Sequence, residues 1–219
     1  MKKQTIFCFV LLLCVTSCAS KQEKPEEIEP KDLYHSYPAF NPDSSINAIV
    51  EIPAGTNQKW QVSKSTGQLE WEQENGKNRV VNYLPYPGNY GMIPQTLLPK
   101  EEGGDGDPLD VLLLGPALPA GVPVRIKLIG LLRLRDRGEV DDKLIGVFDD
   151  SPMADLGSID SLNSRYPGAA MIVETWFSNY KGPGKIESLG YQGTEEAMQM
   201  LKKAALSYQK AFFDTESMD

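Results

Sequence analysis

The chain has 219 residues, 41% of them hydrophobic and 24% charged, and a formal net charge of −8. That length and composition describe one globular domain with room for extra segments, and the negative charge argues against a general phosphate-backbone binder such as a DNA-coating protein. Cysteine occurs only at Cys8, Cys14 and Cys18 and histidine only at His35, which disfavours a disulfide framework, a thiolate or histidine metal site and a Ser-His-Asp triad, and leaves oxygen ligands for any metal: Mg²⁺, Mn²⁺ or Ca²⁺.

The chain opens with a basic Met1-Lys2-Lys3. Residues 6–15 are an apolar stretch too short to span a bilayer. Thr16-Ser17-Cys18-Ala19-Ser20 are small residues of the kind found at signal cleavage sites. Val15-Thr16-Ser17-Cys18 resembles the lipobox of bacterial lipoproteins. We therefore expect residues 1–17 to be a lipoprotein signal peptide, with Cys18 lipidated and the chain exported and anchored to a membrane; a plain cleaved signal is the alternative. Ala19 after the cysteine resembles an outer-membrane address. Residues 18–45, rich in Glu, Lys, Pro and Ser, read as a flexible tether, with Tyr34, Tyr37 and Phe40 as candidates for docking and His35 as an exposed tether residue.

The domain is expected over residues 46–219. Short strands are predicted at 47–52, 59–62 and 68–72, with Ser65-Thr66-Gly67 turning between the last two and Asn75-Gly76-Lys77 forming another turn. Residues 83–94 carry three prolines and two glycines and read as an irregular loop. Residues 111–114 form a buried strand, 122–134 one long bent strand and 143–148 the next. Helices are expected at 169–179 and 194–213, the latter capped at Thr194 and apolar along Ala197, Leu201, Ala204, Ala205 and Tyr208. Many short strands with turn signals point to a small closed barrel in a mostly-β α+β fold.

The chemistry concentrates in Asp105-Gly106-Asp107-Pro108-Leu109-Asp110, directly before the apolar run Val111-Leu112-Leu113-Leu114. Three carboxylates at the mouth of a buried strand either face water or converge on something positive, because burying a bare charge is too costly. The spacing fails as an EF-hand, since Asp110 stands where glycine is needed, and the segment lacks the Lys-Ser/Thr of a P-loop. A second acidic group, Asp136, Asp141 and Asp142, surrounds a turn at Gly138 and precedes Lys143. Each group alone reads as a solvated turn; two such groups at the ends of buried strands suit a joint metal site. Lys59, Arg79, Tyr86, Tyr90, Tyr180 and Lys181 supply cations and phenols elsewhere. Carboxylates for several metals together with Lys, Arg and Tyr donors are what phosphoryl transfer to water requires.

From residue 46 onward the chain resembles the soluble family I inorganic pyrophosphatases. The resemblance rests on Val50-Glu51-Ile52-Pro53-Ala54-Gly55-Thr56-Asn57, on Tyr86-Pro87-Gly88-Asn89-Tyr90-Gly91-Met92-Ile93-Pro94-Gln95-Thr96, on 105–110, on 136–143 and on Asn179-Tyr180-Lys181, in family order. It implies a five-stranded, OB-like barrel with flanking helices and Mg²⁺-dependent hydrolysis of diphosphate, with several metals per site and Mn²⁺ as a substitute. It implies that Asp105, Asp110 and Asp141 hold the first metal, that Asp110 also touches a second, that Asp136 with Asp141 holds a metal arriving with substrate, and that Glu51 binds a further one. Asp107 would be general base to the metal-activated water. Arg79, Tyr180 and Lys181 would grip the phosphate under attack, Lys59 and Tyr90 would assist the leaving phosphate, Lys143 would balance the carboxylates and Tyr86 would support them. Members are usually homo-oligomers. One departure is Gln61, where the family usually has glutamate. It keeps open a catalytically weak or inactive phosphate- or metal-binding lipoprotein, beside a hydrolase of another phosphoanhydride.

Overall fold

The computed structural model describes residues 31–102 and 104–213. The strands are β1 (Ile46–Ile52), β2 (Trp60–Val62), β3 (Leu69–Trp71), β4 (Gln73–Glu74), β5 (Lys77–Asn78), β6 (Asn89–Met92), β7 (Asp110–Leu114), β8 (Pro123–Asp136), β9 (Glu139–Val140), β10 (Lys143–Phe148) and β11 (Ile186–Gln192). The α-helices among the described residues are α1 (Ile159–Arg165), α2 (Ala169–Asn179) and α3 (Thr194–Phe212). The fold is mostly β, of the α+β class.

Five strands pair in a ring: β1 with β6, β6 with β7, β7 with β10, β10 with β8, and β8 back to β1. Only β7 and β10 run parallel. The long strand β8 makes this arrangement work. Its first residues pair with β1, its middle with β10 and its end with β11. Along β7 the side chains alternate faces. Val111 and Leu113 pack toward α3 through Ala197, Leu201 and Ala204, whereas Leu112 and Leu114 pack toward α2 through Val173 and Phe177. Both faces are covered, which explains an unbroken apolar run; each buried Leu or Val contributes about 1.5–3 kcal/mol.

Several expectations are corrected. Residues 89–92 are not loop but β6, buried at every position. The prolines and glycines of the surrounding stretch 83–94 mislead because β6 is held by β1 and β7, and Gly91 is required there: a Cβ would sit 1.9 Å from the Ile49 carbonyl oxygen. Helix α1 and strand β11 were not foreseen. α1 starts on reciprocal bonds between Ser158 and Ser161, a capping box built with serine in place of glutamate. β11 is interrupted by a register shift around Gly190, φ 78°, which breaks the strand pattern. The N-cap of α3 is Gly193, not Thr194. The packed structure also begins before residue 46. Tyr34 is 1% exposed, Phe40 pairs with Ile46, and His35 bonds the Tyr208 hydroxyl, so residues 33–45 belong to the domain and not to a free tether. The proposed signal peptide, Cys18 and the first part of the tether lie outside the described residues. No described helix is long and apolar enough to cross a membrane.

Candidate active site

The acidic loop is shaped by its own sequence. The Asp105 carboxylate accepts the Asp107 N–H at 2.8 Å, Gly106 takes φ 83°, and Leu98 fastens the loop by accepting from Gly106 N and donating to the Asp107 carbonyl. Asp110 then opens β7 and Lys143 opens β10. Their parallel register, Val111 beside Leu144, places the two side chains together. Lys143 Nζ donates to Asp110 Oδ2 at 2.6 Å and to Asp141 Oδ1 at 2.5 Å. Burial alone would lower the Lys143 ammonium, but Asp110 and Asp141 outweigh it and hold it above the usual lysine range. Burial would likewise raise Asp110; Lys143 and Lys59 reverse that and hold it low.

A polar cleft of about 360 Å³ lies over this pair, lined by Glu51, Lys59, Gln61, Tyr90, Asp105, Asp107 and Asp110 among others. Glu51 is 6% exposed, and its Oε1 accepts the Val62 N–H at 2.6 Å, tying β1 to β2. Burial pushes its carboxyl up to about 7 against the pull of Lys59. The Lys59 ammonium lies 4.8 Å from the centre of the Tyr90 ring, and the Tyr90 phenol helps to hold the Asp110 carboxyl low. Partial desolvation raises the Asp105 carboxyl, and the charges of Asp107 and Asp110 add to the effect.

The remaining predicted residues do not line that cleft, but Tyr86 lies within the field of Asp110 and Glu51, and Tyr180 within that of Lys143 and Asp141. Arg137 and Gly138, both with positive φ, make the two-residue turn between β8 and β9 and leave Asp136 at the strand end. Lys181 Nζ donates to Asp136 Oδ2 at 2.6 Å, while Asp136 Oδ1 is buried with no hydrogen-bond partner. Tyr180 caps α2 and stacks on Trp176 at 4.8 Å between ring centres; Tyr86 meets the same indole at 4.3 Å. Arg79 is paired with Glu72 at 2.5 Å, and its charge acts on Tyr86 and is felt from Tyr180. Asp142, grouped in the sequence with Asp136 and Asp141, serves the backbone instead: it accepts from Leu134 N and pairs with Arg133.

Sequence reasoning missed Lys64, Glu72, Asn89 and Trp176. Lys64 pairs with Asp107 and lines the cleft. Asn89, fully buried, accepts from Ala54 N and Leu118 N and donates to the Pro116 carbonyl, joining the loop after β1 to the loop after β7. Trp176 had a readable signal, its i, i+4 spacing to Tyr180 on a predicted helix. Nothing local distinguishes Lys64 or Glu72 from surface charges.

The donor set fits a hard divalent cation. Its members are carboxylate oxygens, one of them buried and unpartnered, and two of the carboxylates already converge on a cationic group. Lysine ammonium groups occupy the positions of positive charge, and among the described residues no three Asp, Glu, His or Cys side chains form a ready cage.

The family model for inorganic pyrophosphatase matches residues 48–209. The inorganic pyrophosphatase of Aquifex pyrophilus is 33% identical over 181 residues, 79% of this chain and 94% of that protein. That of Mus musculus is 34% identical over 184 residues, 77% of this chain but 63% of that protein, so the chain spans about three fifths of this animal relative. Among solved structures, the type I inorganic pyrophosphatase of Toxoplasma gondii superimposes with a TM-score of 0.78 at 26% identity, covering 83% of this chain and 88% of that one. The inorganic pyrophosphatase of Helicobacter pylori gives 0.67 at 29% identity, covering 82% and 99%. With the motifs in order and the match running through the cleft, this chain belongs to the inorganic pyrophosphatase family.

Proposed function

We propose that the chain hydrolyses inorganic diphosphate to two orthophosphates with Mg²⁺ bound. The observation that carries this reading is the convergence of Glu51, Asp105, Asp107 and Asp110 with Lys59 and Tyr90 in one polar cleft. We read the five-strand ring as the small OB-like barrel of this family. Asp105, Asp110 and Asp141 are the residues that would hold Mg²⁺, with Asp136 and Glu51 taking further ions and Mn²⁺ as a substitute. Bound there, the ion supplies Lewis acidity that acidifies water and neutralises phosphate oxygens.

The protein's own groups do the rest. Asp107 accepts a proton from the attacking water as the new P–O bond forms and the bridging P–O bond breaks. Arg79, Tyr180 and Lys181 hold the phosphate under attack, the phenol kept rigid by Trp176. Lys59 and Tyr90 stabilise charge on the departing phosphate, and Tyr86 braces Tyr90 at 5.2 Å. Lys143 keeps Asp110 and Asp141 from repelling each other.

Gln61 lines the same cleft and favours a second reading, a weak or inactive binding domain, or a hydrolase of another phosphoanhydride. The test is Mg²⁺-dependent phosphate release from diphosphate, tripolyphosphate and nucleotides. We expect diphosphate to be preferred and Asp107→Asn to lower the rate by at least about 100-fold without loss of fold. Near-normal turnover by Asp107→Asn removes its role as base. Folded protein that releases no phosphate supports the second reading, and Gln61→Glu is then the next variant.

The N-terminal sequence supports an exported lipoprotein held to a membrane through Cys18. Incorporation of labelled lipid into the chain, lost in Cys18→Ser, tests it. Homo-oligomerisation rests on family analogy alone.

A further inference from the structure

Loop 105–110 is held from two sides, and both holds run back to the segment before β1. Asp32 organises that segment: its Oδ1 accepts from Tyr34 N and His35 N, both at 2.8 Å, and its carbonyl accepts from Ser36 N at 3.1 Å. On one side Leu33 N donates to the Gly67 carbonyl at 2.8 Å. Gly67 has φ 65°, and a Cβ there would meet the Asp32 carboxyl carbon at 2.2 Å, so turn 63–67 lies directly against the segment. The same turn carries Lys64, which donates to the Gly106 carbonyl at 2.9 Å and pairs with Asp107.

On the other side the buried Tyr34 hydroxyl donates to the Thr96 carbonyl at 2.9 Å. Gln95 N donates to the Tyr34 carbonyl at 3.1 Å and Gln95 Nε2 to the His35 carbonyl at 2.6 Å. Gln95 takes φ 50°, a conformation costly for a residue with a side chain, so these bonds hold a strained corner. The fully buried Thr96 hydroxyl then accepts the Leu109 N–H at 2.9 Å and donates to the Ile93 carbonyl at 2.6 Å. Leu109 immediately precedes Asp110. A third contact fixes the segment itself: His35 Nδ1 bonds the Tyr208 hydroxyl of α3, and the Tyr34 and Tyr208 rings meet at 5.5 Å.

We infer that residues 32–36 are a positioning strap for loop 105–110, with Tyr34 as the positioning residue that sets Asp107 and Asp110 through Thr96. Tyr34 touches no reacting atom; it acts through the loop. The kinetic consequence rests on the proposed diphosphate hydrolysis, whereas the structural one does not.

The test uses the full chain with Tyr34→Phe, which keeps the ring and deletes the donor to Thr96, and separately Asp32→Ala, which loosens the strap at its turn. Hydrogen exchange is followed at the Gly106 and Leu109 amides, and kcat and KM are measured with diphosphate and Mg²⁺. We expect both variants to exchange faster at these amides by about three- to tenfold, with α2 and β10 unchanged, as one lost hydrogen bond predicts. kcat should fall by a similar factor, with KM altered less than about twofold. Unchanged exchange in 106–110, equal acceleration across the whole domain, or local loosening with unaltered kcat in both variants each overturns the strap. A parent protein without turnover sinks the diphosphate reading, and the exchange pattern then decides the strap by itself.

Discussion

Replacing Lys143 by methionine keeps the buried stem and deletes the ammonium that joins Asp110 and Asp141. The lysine is 3% exposed, whereas the two carboxylates retain 31% and 22% of their exposure. Breaking a buried pair by removing one partner costs about 3–5 kcal/mol; because solvent reaches both carboxylates here, we expect the lower end, about 3 kcal/mol. Lys143 is held above the ordinary lysine range, so its contribution is complete below about pH 10 and is lost only as pH rises through the elevated folded value. Asp110 is held below the ordinary range, so its contribution is present above about pH 4 and is lost as pH falls through the depressed folded value. Both are complete near neutrality, and the deficit of the variant should be largest between about pH 5 and pH 9. Thermal and urea unfolding of the Lys143→Met protein in EDTA measure it, with a drop in Tm of about 6–12 °C expected at pH 7. Mg²⁺ should restore part of the loss, since it binds the two freed carboxylates only in the folded state. A variant within about 2 °C of the parent in EDTA would refute the claim that this lysine offsets the charge of the carboxylates.

Glu51 behaves in the opposite sense. Its folded carboxyl lies at about 7 against an ordinary 4.5, so the metal-free fold loses stability as pH rises through that window. Glu51→Gln should therefore be more stable than the parent at pH 8 in EDTA, by about 1–3 kcal/mol, with no difference near pH 4; denaturant titrations at the two pH values decide it. Gly91→Ala should destabilise by more than about 4 kcal/mol, because the new methyl meets the Ile49 backbone and not a movable side chain; soluble yield and Tm report it. Asn89→Ala should cost about 2–4 kcal/mol, since two part-buried N–H groups and a carbonyl lose their partner together, and loss of kcat should accompany the fall in Tm as the loop beside β6 loosens.

Much of the site was legible in the residues themselves. The Asp-Gly-Asp turn folds by a local rule, and Asp105, Asp107 and Asp110 fall together because only five positions separate the first from the last. The apolar stripe of α3 and the buried runs in β7 and β10 follow from period and hydrophobicity. Only the tertiary structure decided how the distant pieces meet. Lys143 reaches Asp110 across 33 residues because β7 and β10 pair in parallel, and Lys64 reaches Asp107 across 43 because a surface turn folds over the loop. It also made a strand of 89–92 within the glycine- and proline-rich stretch 83–94 and packed residues 33–45 against the domain. Local sequence encodes turn chemistry, periodicity and the need to bury apolar surface. Which strand edges pair, and whether a lysine meets water or two carboxylates, depends on surfaces brought together from far along the chain; burial then raises the Glu51 carboxyl, while Asp110 and Asp141 hold the Lys143 ammonium above the lysine range.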